Sequence, residues 1–99
     1  MKIAVGSMDK NIDSTVSSQA GRAPFFLIFD ENGTLLETIK NPFSTGGGGA
    51  GLGVAKMLAD KSVDKIIAGK FGDKMIEALN TRGVDFEEKE GIVQDIFIA

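Results

Sequence analysis

The chain has 99 residues, 42% of them hydrophobic and 25% charged, which sustains one small core and predicts a single domain over residues 1–99. It carries no cysteine and no histidine, which excludes disulfides, thiolate and imidazole metal ligands, and every catalytic pair built on histidine. The net charge of −3 argues against nucleic acid as a partner, since phosphate backbones call for a basic face; the absence of any long apolar run argues against a membrane span or signal peptide and leads us to expect a cytoplasmic protein.

Lys2-Ile3-Ala4-Val5-Gly6 is a short apolar run closed by glycine and reads as a buried strand. Residues 7–22 are polar and turn-rich, with Ile12 and Val16 expected to pin the segment to the core. A loop of this length in a small domain is uncommon unless it has a task. Pro24 to Asp30 is dense in aromatics and apolar on both faces, a second strand. Glu31-Asn32-Gly33 supplies a hairpin turn, Thr34 to Lys40 alternates as the partner strand, and Asn41-Pro42 ends it.

The most informative stretch follows: Thr45-Gly46-Gly47-Gly48-Gly49-Ala50-Gly51-Leu52-Gly53. From Ala50, residues Leu52, Ala55, Leu58 and Ala59, with Val54 and Met57 beside them, have helical spacing, and the helix ends near Lys61. Val63 to Ala68 is another buried strand, closed by Gly69, and Lys70-Phe71-Gly72 makes a turn. Asp73 is expected to cap the next helix, whose buried stripe is Met75, Ile76, Ala78 and Leu79 and whose stop is Gly83. Val84 to Glu88 reads as a last, more exposed strand, and Gly91 to Ile98 fits either a short amphipathic helix or a strand.

These elements predict an α/β fold with a mixed five-stranded sheet in the order 3-2-1-4-5, the second strand antiparallel and the helices packed on the sheet. Ligands in open α/β sheets bind beyond the carboxyl ends of the strands. Loops 7–22, Gly69–Gly72 and Glu88–Gly91 leave from those ends, and the glycine run is expected to reach the same rim. An edge strand, 34–40 or 84–88, is available to pair across a dimer.

A glycine-rich loop opening a helix offers unpaired N–H groups at the positive end of the helix dipole, a seat for an anion. Gly46, Gly47, Gly48, Gly49 and Gly51 are candidates for it, although the run matches neither a Walker nor a Rossmann signature; the competing reading is a flexible surface loop. Arg22, one of two arginines, suits an anion as a fork of donors, or else ties the first loop down through backbone carbonyls. Ser18, Gln19 and Gly21 on the same loop, and Gly69 and Lys70 on the rim, complete the candidate binding set. The serines are equally suited to local turns, and Lys70 to plain solvation. Asp9, Asp13 and Asp30 offer the residue types of a magnesium nuclease, but Asp30 sits at the hairpin, away from the other two. The phenylalanines Phe25, Phe26 and Phe29 and the methionines Met8, Met57 and Met75 read first as packing residues.

Met1-Lys2-Ile3-Ala4-Val5, Gly21-Arg22-Ala23-Pro24-Phe25-Phe26, Asn41-Pro42, Gly49-Ala50-Gly51 and Ile67-Ala68-Gly69 together resemble the dinitrogenase iron–molybdenum cofactor biosynthesis family over essentially the whole chain. The resemblance implies a ribonuclease-H-like three-layer α/β fold and the binding, carrying or insertion of metal–sulfur cofactors. Where that family often has His-Phe ahead of Gly-Arg, this chain has Gln19-Ala20, and where it often has His ahead of Gly-Ala-Gly, this chain has Gly48. The expected function is therefore non-enzymatic binding of a preassembled iron–sulfur or molybdenum–sulfur cluster by N–H groups, Arg and Lys, without metal coordination, in exchange with a cofactor donor or acceptor protein. The alternatives are a protein-interaction or regulatory module with no bound metal and, last, an enzyme acting on phosphorylated small molecules.

Overall fold

The computed structural model describes residues 1–97. Five strands and two helices follow one another as β1 (Lys2–Ser7), β2 (Phe25–Asp30), β3 (Leu35–Lys40), α1 (Ala50–Asp60), β4 (Lys65–Ala68), α2 (Asp73–Thr81) and β5 (Asp85–Glu88), and a 3-10 turn spans Val93–Phe97. The sheet order is β3-β2-β1-β4-β5, as the element pattern predicts. β2 is antiparallel to β1 and to β3, whereas β1–β4 and β4–β5 are parallel pairs. β1, β3, β4 and β5 therefore all point the same way.

Strand residues alternate between two apolar layers. On one face Ala4, Phe26, Ile28, Ile66 and Ala68 pack with Val54, Ala55 and Leu58 of α1 and Met75, Ala78 and Leu79 of α2. On the other, Val5, Leu27, Phe29 and Ile67 pack with Val16, Val93, Ile96 and Phe97. The second cover is not a helix but the long first loop and the 3-10 turn, completing the ribonuclease-H-like three layers. Main-chain bonds hold it down: Ser17 N–H donates to Gly6 O at 2.8 Å, Gly69 N–H to Ser17 O at 2.8 Å, Val16 N–H to Gly91 O at 2.8 Å and Val93 N–H to Ser14 O at 2.9 Å.

Several local expectations change. Val16 is buried as expected, but Ile12 is 42% exposed and is fixed through its carbonyl, which accepts from Gln94 N–H at 2.9 Å. Leu52 is exposed, because at 100° per residue it lies about a third of a turn from the centre of the buried stripe formed by Val54, Ala55 and Leu58. Asp73 does not cap α2; Gly72 occupies the N-cap position with no side-chain cap, and Asp73 lies inside the first turn. Within Gly91–Ile98, Ile92 makes an isolated bridge to Thr15 and Val93–Phe97 form the 3-10 turn, and Ile98 lies outside the described residues. No helix among the described residues is long and apolar enough to cross a membrane.

Candidate functional site

Because the four like-directed strands end on one rim, the segments after Ser7, Lys40, Ala68 and Glu88 all gather there with the chain entering β2. The glycine loop leaves β3 at that rim. Asn41, 1% exposed, joins it to the end of the first loop. Its Nδ2 donates to Ala23 O at 2.9 Å and Gly21 O at 3.3 Å, and its Oδ1 accepts from Phe43 N–H at 2.9 Å. Arg22 adds a second stitch, with Nη1 donating to Phe43 O at 3.0 Å and Nη2 to Gly47 O at 2.6 Å. The Phe43 ring lies over Gly53 so closely that a Cβ there would fall 2.5 Å from it.

The loop after β4 is fixed from both sides. Ala20 N–H donates to Lys70 O at 2.9 Å, and Phe71 N–H donates to the Glu88 carboxylate at 3.1 Å. Gly69 presses against the first loop, its Cβ position 2.8 Å from Ser18 Cα. Ser17 Oγ is spent locally, donating to Gln19 O at 3.1 Å, and Ser7 Oγ likewise to Asp9 O at 2.6 Å.

Between these loops lies a cleft of about 570 Å³ lined by Gln19 to Arg22, Ala50, Gly51 and Lys70 to Met75. The N-termini of both helices meet in it: a Cβ on Gly51 would stand 2.9 Å from Met75 Cβ. The first intrahelical bonds run from Gly53 N–H to Gly49 O and from Ile76 N–H to Gly72 O, both 3.0 Å, so the amides of the first turns have no partner within their own helix. Two positive dipole ends thus share one hollow. Arg22, Lys70 and Lys74 line it, opposed by a single carboxylate, Asp73. Ala20, Ala50, Phe71 and Met75 contribute an apolar floor and are buried. A smaller hollow of about 90 Å³ beside it, lined by Arg22, Phe43, Thr45, Gly47, Gly48 and Ala50, shares Arg22 and Ala50 with the first.

Of the residues singled out in the sequence, Gln19, Gly21, Arg22, Gly51 and Lys70 line the main cleft. Gly47 and Gly48 line the smaller one. Ser18 and Gly69 stand together behind the cleft, backbone against backbone, while Gly46 and Gly49 line neither hollow and turn the loop at φ +108° and +86°. Sequence reasoning missed Lys74 and Asn41. Lys74 was within reach as the second residue of a helix that starts at the rim; nothing in the spacing of Asn41 marks a buried amide. Asp30 is at the opposite end of the sheet, paired with Lys2, where its Oδ1 accepts from Asn32 and Thr34 N–H in the hairpin. Among the described residues no group of three His, Cys, Asp or Glu side chains is placed to hold a metal ion.

The family profile described as dinitrogenase iron-molybdenum cofactor matches residues 1–97. No curated protein sequence matches. Among solved structures, the apo form of the orange protein from Desulfovibrio gigas superposes with a TM-score of 0.88 at 28% identity, over 96% of this chain and 82% of that one. A NifB-like protein from Thermotoga, assigned to the DUF35 family, superposes with a TM-score of 0.79 at 30% identity, over 95% of this chain and 81% of that one.

Proposed function

This chain belongs to the dinitrogenase iron-molybdenum cofactor family, and from that premise we propose that it binds and hands on a preassembled anionic metal–sulfur cluster, as cargo and without catalysing a reaction. The observation that carries this reading is the convergence of two helix N-termini with Arg22, Lys70 and Lys74 on one cleft. Coordination of a cluster metal by His or Cys does not fit, because the chain has neither. An intact cluster with an anionic sulfide surface does fit: it accepts hydrogen bonds from amides, guanidinium and ammonium groups without any metal–protein bond. The apolar floor of Phe71 and Met75 suits the polarisable body of such a cluster. In this reading the protein works in the cytoplasm, and a donor or acceptor protein meets it at the open rim.

The test is an anaerobic titration with tetrathiomolybdate, a compact sulfide-coated molybdenum anion, followed by visible absorbance. The wild type is expected to bind in a one-to-one ratio. Arg22→Ala, and separately the pair Lys70→Ala with Lys74→Ala, are expected to bind at least about tenfold more weakly, since a charge-assisted hydrogen bond contributes about 1.5–3 kcal/mol. The lysine pair is exposed, so that variant keeps its fold. Unchanged binding in both variants overturns the site.

A second reading has one observation in its favour. Leu52 is 51% exposed in the first turn of α1, at the same rim, and suits a docking protein. Under that reading a Leu52→Lys variant loses its partner while no metal tracks with the wild-type protein.

A further inference from the structure

The shape of the glycine loop accounts for only two of its four consecutive glycines. Gly46 and Gly49 have positive φ, a conformation that L side chains rarely adopt. Gly47 and Gly48 do not, and a Cβ built on either meets nothing within 4 Å. In this conformation alanine would serve at both positions, and would favour folding by restricting the unfolded chain. Glycine at 47 and 48 therefore answers to another conformation, or to something that approaches the main chain more closely than a methyl group permits.

The loop is also lightly held. Among the described residues no main-chain hydrogen bond engages residues 45–48. The bond that reaches the tip comes from Arg22, whose Nη2 donates to Gly47 O at 2.6 Å. Arg22 lines the main cleft as well as the smaller hollow beside it, and so lies where the two meet. An anionic acceptor is a better partner for its guanidinium than a carbonyl, because charge on both sides adds Coulomb attraction and an oxyanion or sulfide face can engage two of the fork's donors at once. An anion in the cleft competes directly for the group that tethers the tip.

We propose that Thr45–Gly49 is a strap, held beside the cleft by Arg22, that closes over an anion once the anion takes the guanidinium from Gly47 O, laying the amides of Gly47 and Gly48 on the bound anion. The inference rests on the reading of the cleft as an anion seat. It gives Arg22 two tasks in sequence, latch and ligand, and gives the two unexplained glycines a reason in close approach.

The experiment compares wild type with the double variant Gly47→Ala, Gly48→Ala, using tetrathiomolybdate under anaerobic conditions. The variant is expected to match the wild-type circular dichroism and to melt no lower, yet to bind the anion at least tenfold more weakly. In the wild type, amide hydrogen exchange of a peptide covering residues 45–49 is expected to slow severalfold on binding. If the wild type binds the anion but exchange at 45–49 does not change, or the variant binds as tightly as the wild type, the strap is overturned while the cleft reading stands. If the wild type does not bind, the cleft reading falls and takes the strap with it. The exchange measurement needs no variant, so the inference stays open to refutation whatever the substitutions do to folding.

Discussion

Asn41 is a single buried amide on which two loops of the rim depend. Its side chain satisfies Gly21 O, Ala23 O and Phe43 N–H, the bond to Ala23 O fully buried, and alanine would remove all three. Leaving a buried polar group unpaired costs about 1–3 kcal/mol, so Asn41→Ala is expected to lose about 2–3 kcal/mol in urea unfolding; a loss below about 0.5 kcal/mol would mean that the loops find other partners. On the far edge, hydrogen bonds from Lys65 and then Lys89 hold the Glu87 carboxyl below the ordinary glutamate range. A carboxyl with a lower pKa folded than unfolded stabilises above its unfolded value, and that contribution disappears as pH falls through the folded value. The Glu87 side chain is 37% exposed, so solvent screens the effect and it is small. Wild type is expected to melt slightly above Glu87→Gln at neutral pH, with the gap closing as pH falls below the ordinary glutamate range; a gap that does not narrow on acidification contradicts the assignment. Among the site residues, Arg22 was legible because a lone guanidinium in a polar loop stands out. Its partners, two carbonyls of a different loop, were not, because backbone acceptors leave no mark in the sequence.

The two helices end alike and differ in one residue. Val63 N–H reaches Leu58 O at 3.1 Å over Ser62, and Val84 N–H reaches Leu79 O at 3.0 Å over Gly83. The bridging residues both have positive φ, 63° at Ser62 and 69° at Gly83. This is the six-to-one closure in which glycine is the usual residue. A non-glycine residue there pays about 1–2 kcal/mol, partly offset by the freedom glycine regains when unfolded. Ser62→Gly is therefore expected to stabilise the protein by about 0.5–1 kcal/mol in urea unfolding, and a destabilised variant would contradict that account. The stop at Gly83 was plain in the sequence; the one at Ser62 carried no glycine to announce it. The strands and helices were legible because their apolar residues repeat at the spacing of the element. The third layer was implied by the family resemblance but not by residue spacing, because residues 8–22 are held by main-chain bonds to Gly6, Gly69 and Gly91, which impose no periodicity on side chains. Ile12, expected to anchor the loop, shows this most directly.

At the scale of the whole molecule, one antiparallel strand decides where the site falls. With β2 reversed, β3 runs alongside β1 in the same sense, and the glycine loop must leave from the carboxyl rim. Both helices then start at that rim, one after β3 and one after β4, and run away from it. Their positive ends meet at Gly51 and Met75. This much follows from the strand order, which the element pattern supplied; the narrowness of the approach between the two helices does not, because it depends on the side chains that pack beneath them. The molecule as a whole carries a charge of −3, so an anion is held by the local field of the cleft rather than drawn in by the protein at large. The measurement that tests this account most directly is purification under anaerobic conditions without chelators, followed by the visible spectrum and by molybdenum, iron and acid-labile sulfide counted against protein. The account predicts an absorbance band, with metal and sulfide in fixed ratio to the chain, released together by high salt because no metal–protein bond retains them. Folded protein that stays colourless and takes up no metal–sulfur anion when one is supplied would contradict it.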